Sequence, residues 1–537
     1  MRENLATLFE VVADERAERT AIIQGDVRRT WRELDDRAAR LARHLRGRGV
    51  RHGSRVAMAL YNGPEYVETL LAVLKLRAAP VNVNYRYRSR EIAELLTGSG
   101  ATVIVADAAL STDVADAVRD SPIVRLGAAD GPDPLAGRAD DYAAAIAAAS
   151  PLLREPRSGD DEWLMFTGGT TGRPKGVRNR QTELFGIAAG NGYGVRGVPR
   201  PADLDELRAV TRRLSDGPGR LVTLVAPPLI HATGLYTALG TLLAAGTVVF
   251  ARSRTYDPRE LAVLVDRHEV TNLCLVGDVF AAPFADVLDA AAAAGRPYRL
   301  SALREIRSVG VTWSPGVKRR LLDHADVRLV DVIAASEGGP FASSVTTRSG
   351  GAITSTFELL PGARVIDADD RDVRPGEVGR LAAPCADDAA YLGDPARSAA
   401  TFRLIDGVRH TVPGDLATIR EDGSLVLLGR QGRVINTGGE KVYAEEVEQA
   451  IAAHPEVGDV VVVGVPDPRW GHRITAVVSV TPGAAPTPSD IQSAVTSRLA
   501  GYKKPRTVVF VPRVPRTPAG KLDLRQARIL AEGDPQP

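Results

Sequence analysis

The sequence predicts an α/β fold: a large N-terminal domain of βαβ-type sheets with a small β subdomain, then a small α+β C-terminal domain. Length is the first reason, because 537 residues exceed what one hydrophobic core ordinarily organises. From Val56 onward, short β-branched runs alternate with stretches of helical period, the pattern of βαβ units and largely parallel sheets. Beyond Gly362 that alternation gives way to short strands bounded by turn residues.

Val56–Leu60 reads as a strand, Pro64–Leu76 as a helix and Val81–Val83 as a strand. Glu91–Leu96 follows as a helix and Thr102–Val105 as a strand. The pattern resumes with strands at Leu221–Ala226, Thr247–Phe250, Thr271–Val276, Ile306–Val309 and Arg328–Ile333, separated by helices. Active sites in such sheets gather at the carboxyl ends of strands. Thr167 and the pair Ser336-Glu337 each follow a strand, which lets both face one crevice. The stretch Gly197–Gly219, rich in Pro, Arg and Asp, reads as a surface insertion. Arg364–Ile366 and Arg380–Ala383 are short strands, and Asp422-Gly423 marks a tight hairpin turn. The main boundary falls at Gly429-Arg430, giving domains 1–429 and 430–537. In the second, Val447, Ala450, Ile451 and His454 fall at helical spacing. A strand Val460–Val463, a turn at Pro466-Asp467-Pro468 and a strand Thr475–Val480 follow.

Composition excludes several classes of function. The 68 basic residues nearly balance the 66 acidic ones, so no nucleic-acid footprint is expected, and Arg clusters such as Arg86 to Arg90 read as solvated faces. Cys274 and Cys385 stand far apart without neighbouring His, against a zinc site or a disulfide framework and in keeping with a reducing compartment. The first residues lack an apolar signal core, and the longest apolar stretch, Thr237 to Ala251, is too short to span a bilayer. A soluble cytoplasmic protein with no membrane span is the expectation.

Chemistry concentrates between Phe166 and Val177. Three Thr and three Gly occupy the six positions from Thr167 to Gly172, so the backbone can approach a phosphate closely while hydroxyls and N–H groups donate to it. Lys175 adds a cation. The spacing is not that of a Walker A loop. The run Thr-Gly-Gly-Thr-Thr-Gly-Arg-Pro-Lys-Gly resembles the phosphate loop of the adenylate-forming superfamily, which includes acyl-CoA synthetases, luciferases and nonribosomal adenylation domains. Its form, with Gly168 where Ser is commoner, is similar to the actinobacterial fatty-acyl and steroid-side-chain CoA ligase branch.

The resemblance extends through several motifs in family order. Pro227 to Gly234 is similar to the family's apolar strand end, whose His, here His231, stands at the carboxylate pocket. Ser308-Val309-Gly310 resembles the backbone segment that lies along the adenine. Ile333-Ala334-Ala335-Ser336-Glu337 resembles the family's Tyr-Gly-x-Thr-Glu, with Ile333 and Ala334 replacing Tyr and Gly. Ser336 keeps the hydroxyl, and Glu337 keeps the carboxylate that the family uses on Mg²⁺, a hard cation shared with ATP phosphates. Asp415 resembles the ribose-binding Asp, and Gly429-Arg430 the pair that closes the same site. Gly432 stands at the hinge position, Gly438-Gly439 matches the segment that lies along the pantetheine channel, and Lys521 matches the adenylation lysine.

The resemblance implies a cycle in which ATP, Mg²⁺ and CoA take part. A carboxylate oxygen attacks the α-phosphorus of ATP, Mg-pyrophosphate leaves, and the acyl group passes to the CoA thiol. Lys521 bridges the carboxylate and the α-phosphate, while Thr167, Gly168, Gly169, Thr170, Thr171, Gly172 and Lys175 hold the β- and γ-phosphates. The small domain is then mobile, withdrawing Lys521 and presenting Gly438-Gly439. Some relatives of this branch are instead ATP-dependent diazotases, which activate nitrite and pass it to an aryl amine; that is the alternative reading. A nonenzymatic nucleotide-binding protein is a third, opposed by intact Lys521, Glu337 and Asp415. The partner is then a small-molecule acid, or nitrite plus an aryl amine, with homodimer formation left open. By the same analogy Phe185, His231, Tyr236, Gly310, Trp313 and Phe341 line the acyl pocket, although a Trp at an apolar strand end is more commonly core.

Overall fold

The computed structural model describes residues 3–119, 123–128, 140–168, 174–216, 220–310, 313, 315–350, 356–430, 434–481, 483–515 and 523–533. Contacts group the chain into two compact units. One comprises Met1–Tyr85, Leu96–Phe166 and Gly176–Leu428; the other comprises Arg86–Leu95, Thr167–Lys175 and Gly429–Pro537.

The first unit is organised by a nine-stranded sheet. Its order is Glu358–Leu359, Gly338–Thr346, Arg328–Ala335, Glu305–Val309, Asn272–Leu275, Val222–Val225, Thr247–Phe250, Thr20–Gln24, Val27–Thr30. From Arg328–Ala335 across to Thr20–Gln24 every neighbouring pair is parallel, so these strands end on one edge. Both faces are covered, as parallel sheets require. Val222, Leu224 and Val249 enter the cluster beneath helices Pro258–Arg267, Gly277–Ala293 and Pro315–His324. Val225, Val248 and Phe250 enter a larger cluster with helices Leu5–Glu15, Trp31–Gly47, Pro64–Lys75, Gln181–Gly192 and Ala232–Leu243. The two-residue period of the strands sorts these side chains.

The same helix layer takes Val56, Met58, Val103 and Val105 from a second sheet of five strands. That sheet is parallel, ordered Ala79–Asn82, Arg55–Ala59, Val103–Asp107, Val124–Ala128, Asp140–Asp141. A three-stranded sheet joins Ala390–Tyr391, Pro174–Arg180 and Glu162–Gly168, and a six-stranded sheet is built around Val378–Pro384 and Asp415–Ile419. The expected turn at Asp422-Gly423 is there, with Gly423 at φ +81°. Strands expected from β-branched runs are found in place, Thr247–Phe250 and Arg364–Ile366 with the expected limits.

Two expectations are corrected. Gly197–Gly219 is not a mere surface insertion: it contains the helix Leu204–Asp216, whose Leu207, Val210 and Leu214 are buried in the large cluster. The helix carrying Val447, Ala450 and Ile451 runs only over Ala444–Ala452, leaving His454 beyond its end. Pro455 follows His454 directly, and a proline disfavours helical geometry in the residue before it.

The second unit is an α+β sandwich around a five-stranded sheet. In the long hairpin Val457–Asp467 and Gly471–Val480, alternate residues face opposite sides. Val460 and Val462 pack with Val447, Ile451, Ile491 and Val495, whereas Val461, Val463 and Val465 pack with Ala527 and Ala531. Arg86–Leu95 belongs to this unit through a buried cluster: Lys503 Nζ lies 2.9 Å from Glu91 Oε1 and 2.6 Å from Glu446 Oε1. Arg86 also pairs with Glu440. With all three groups buried, removal of Lys503 would leave two carboxylates without their cation, a strongly destabilising change.

Candidate active site

The parallel edge of the nine-stranded sheet collects several of the residues expected to act. Strand Val222–Val225 leads through Pro227-Pro228 to His231, which precedes helix Ala232–Leu243. Strand Glu305–Val309 leads to Gly310, at φ +90°, and the Gly310 N–H donates to the Val332 carbonyl at 3.2 Å. A left-handed conformation of this kind suits glycine and strains other residues. Strand Arg328–Ala335 turns at Ser336-Glu337 into Gly338–Thr346. His231 and Glu337 thus follow strands separated by two others, a lateral spacing of roughly 14 Å at about 4.8 Å per strand.

Glu337 is held from the three-stranded sheet. The Tyr391 hydroxyl donates to Glu337 Oε1 at 2.7 Å. Burial and then the adjacent carboxylate push the Tyr391 phenol well above its ordinary pKa, so it stays a donor. On the other side, a Cβ on Gly338 would meet Thr411 Cγ2 at 2.7 Å. That close approach sets the Ser336-Glu337 turn against the segment that continues to Asp415, the first residue of strand Asp415–Ile419. Two carboxylates and a hydroxyl therefore lie on adjoining segments of one unit.

Loops at the edge are held by polar side chains from the second sheet and from the loop and helix that follow its strand Arg55–Ala59. Asn62 Nδ2 donates to the Pro227 carbonyl at 3.0 Å, and its Oδ1 accepts from the Leu229 N–H at 2.7 Å. The Tyr66 hydroxyl donates to the Leu229 carbonyl at 3.0 Å. Asn82 Nδ2 donates to the Ile230 carbonyl at 2.7 Å and to the Phe166 carbonyl at 2.8 Å, while its Oδ1 accepts from the Phe166 N–H at 2.7 Å. Phe166 immediately precedes Thr167 in strand Glu162–Gly168. Sequence reading did not single out Asn62, Asn82 or Tyr391, because each acts on a partner distant in sequence.

In the second unit, Gly438 and Gly439 form the two-residue turn between Val434–Thr437 and Glu440–Tyr443, at φ +60° and +81°. Both angles positive is the signature of a type I′ hairpin. A Cβ on Gly438 would lie 2.9 Å from the Trp470 ring, which the Arg506 guanidinium covers at 3.8 Å. Thr167 and Gly168 are the last two residues of strand Glu162–Gly168, and Lys175 lies half-buried in Pro174–Arg180. Arg430 is the last residue of strand Leu425–Arg430. Gly169, Thr170, Thr171, Gly172, Gly432 and Lys521 lie outside the described residues.

Of the expected acyl-pocket residues, Phe185 and Tyr236 lie in the large helical cluster, Trp313 beneath helix Pro315–His324, and Phe341 in the β-subdomain core. Trp313 and Phe341 are core residues, at 1% and 0% exposure. Ile333, at the position of the family Tyr, also packs in that core. Neither cysteine is poised as a nucleophile: burial pushes the Cys274 thiol up to about 11 and Cys385 up to about 12. Among the described residues no helix is long and apolar enough to cross a membrane, and no group of three or more His, Cys, Asp and Glu gathers as a metal centre.

Comparison with known proteins agrees with this architecture. Residues 9–383 match the family model of the AMP-binding enzymes, and residues 446–521 match that of the AMP-binding enzyme C-terminal domain. The chain is 36% identical to a 3-oxocholest-4-en-26-oate–CoA ligase of Rhodococcus rhodochrous, covering 98% of this chain and 96% of the relative. It is likewise 36% identical to the medium-chain acyl-CoA ligase Mig of Mycobacterium avium, covering 95% of each. The solved structure of the amide bond synthetase McbA from Marinactinospora thermotolerans superposes with a TM-score of 0.80 at 26% identity, over 97% of this chain and 99% of that one. With a strand-end site of the expected composition and matches to both family models, this chain belongs to the AMP-binding enzyme family and is an adenylate-forming enzyme.

Proposed function

We propose that the enzyme is an acid–CoA ligase: it activates a carboxylic acid with ATP as the acyl-adenylate, releases pyrophosphate, and transfers the acyl group to CoA. The observation that carries this reading is near full-length similarity to relatives named as CoA ligases for a steroid side-chain acid and for medium-chain acids. Positioning and charge neutralisation do most of the work in such phosphoryl chemistry. His231 stands at the carboxylate, Gly310 gives its backbone to the adenine, and Asp415 and Arg430 hold the ribose. Thr167 to Gly172 with Lys175 cradle the leaving phosphates, with Ser336 beside them. Glu337 fits a hard cation, because its carboxylate is half-buried and oriented by Tyr391. Mg²⁺ held there would supply positive charge against the departing pyrophosphate. Lys521 serves the adenylation step, and Gly438-Gly439 serves the thiol step.

A second acceptor is favoured by one observation. The amide bond synthetase McbA shares the fold over nearly the whole length of both chains, so an amine is the competing acceptor for the same acyl-adenylate. The comparisons lend the nitrite-activating alternative no support, and it serves below only as a control.

The test is pyrophosphate release with Mg-ATP across aryl, fatty and steroid-side-chain acids, each supplied with CoA, with an amine, or with nitrite plus an aryl amine. Products are identified by mass. Acid-dependent release yielding an acyl-CoA is the expected result. An amide formed in preference to the thioester assigns the second reading, and release that depends on nitrite overturns both.

A further inference from the structure

Asn82, on the five-stranded sheet, joins segments that belong to two other sheets. It is the last residue of the edge strand Ala79–Asn82, 8% exposed, with its amide directed away from its own ladder. Its orientation is dictated by its partners: two carbonyl oxygens, of Phe166 and Ile230, require the nitrogen side, and the Phe166 N–H requires the oxygen side. One planar side chain thereby holds the backbone one residue before Thr167 and one residue before His231. Those are the entries to the phosphate loop and to the carboxylate-pocket loop.

We propose that Asn82 is a positioning residue that fixes the chain at Phe166 and at Ile230 in one mutual register, so that adenylation depends on its amide while later acyl transfer does not. The inference rests on the adenylation reading given above. In-line attack needs the acid oxygen and the α-phosphorus held together near contact distance, and an error of about 1 Å can cost on the order of a hundredfold in rate. The two reactants are held by loops from different sheets, strand Glu162–Gly168 of one and strand Val222–Val225 of another. Asn82 hydrogen-bonds to both. Asn62 and Tyr66 cannot substitute, because their bonds reach only Pro227 and Leu229 on the acid side. Once the acyl-adenylate exists, its two halves are covalently joined and the register between the loops matters less.

The experiment compares wild type with Asn82→Ala and Asn82→Asp. The aspartate is nearly isosteric and keeps the acceptor for the Phe166 N–H, but an ionised carboxylate has no proton for the two carbonyls. Adenylation is read by ATP–pyrophosphate exchange, and acyl transfer by thioester formation from supplied acyl-adenylate. Both variants are expected to lose about a hundredfold in exchange while keeping near wild-type acyl transfer. A merely structural role would lower both half-reactions together, in step with the folded fraction measured by circular dichroism, and would overturn the proposal. Backbone amide exchange gives a readout that needs no substrate. In Asn82→Ala, protection should fall together in residues 163–168 and 229–234; loss in one segment alone would overturn the coupling. If wild type makes no adenylate from any acid, the proposed function fails, and the amide-exchange result still decides whether Asn82 links the two loops.

Discussion

Tyr391 shows how a single donor sets the behaviour of the candidate cation ligand. Its hydroxyl bonds to Glu337 Oε1, and burial with the neighbouring carboxylate keeps the phenol protonated beyond the ordinary range. Tyr391→Phe removes that donor while leaving the ring packed on Phe402, 5.4 Å away between centroids. Loss of a partner that orients a metal ligand typically costs about tenfold to a hundredfold in affinity or activity. The half-saturating Mg²⁺ concentration in pyrophosphate exchange should rise by that order, and an unshifted titration would remove Tyr391 from the site. Because the phenol pKa is raised, its donor role should persist through alkaline assays, with no Tyr391-dependent fall in rate near pH 10, the ordinary tyrosine value. Gly310 is testable at the same scale. At φ +90°, with nothing among the described residues within 4 Å of where a Cβ would stand, Gly310→Ala should cost about 1–3 kcal/mol from backbone strain, read as a lower denaturation midpoint. What was legible in the sequence at this scale is what carries its chemistry locally, such as the Thr/Gly run from Thr167. Asn82 and Tyr391 carry theirs across separations of 84 and 54 residues, which no local pattern records.

Elements were legible where one physical signal dominated. Buried parallel strands are near-continuous β-branched runs, so Thr247–Phe250 stands out without its neighbours. Helix Leu204–Asp216 was hidden because its Arg and Asp content masks the stripe Leu207, Val210, Thr211, Leu214, spaced three, four and seven from the first. What locks helices together was not legible at all. Lys75 Nζ lies 2.6 Å from both Glu10 Oε1 and Asp35 Oδ1, and Arg157 Nη1 lies 2.8 Å from Glu10 Oε2. These ions join helices Leu5–Glu15, Trp31–Gly47 and Pro64–Lys75 within the main core. Lys75→Met keeps the stem volume but strips a buried cation from two carboxylates. The expected loss is about 3–5 kcal/mol, seen as a lower denaturant midpoint with an unchanged slope. A shift under about 1 kcal/mol would mean that Arg157 and water compensate.

At the scale of the whole molecule, the proposed reaction has two steps, with different residues for each. The resemblance gives Lys521 to adenylation and Gly438-Gly439 to acyl transfer, all three from the same C-terminal stretch. In the proposed cycle the two sets act in turn, and the resemblance puts Gly432 at the hinge between those turns. Glycine absorbs a large backbone change easily, whereas proline fixes φ near −65°. Lys521→Ala should therefore abolish pyrophosphate exchange, by about a hundredfold or more, while thioester formation from supplied acyl-adenylate stays near wild type. Gly432→Pro should do the reverse: exchange persists, and thioester formation slows. The two variants together test alternation, because it predicts that their losses fall on opposite half-reactions. Equal losses in the two half-reactions for either variant would place that residue in general folding instead of in alternation.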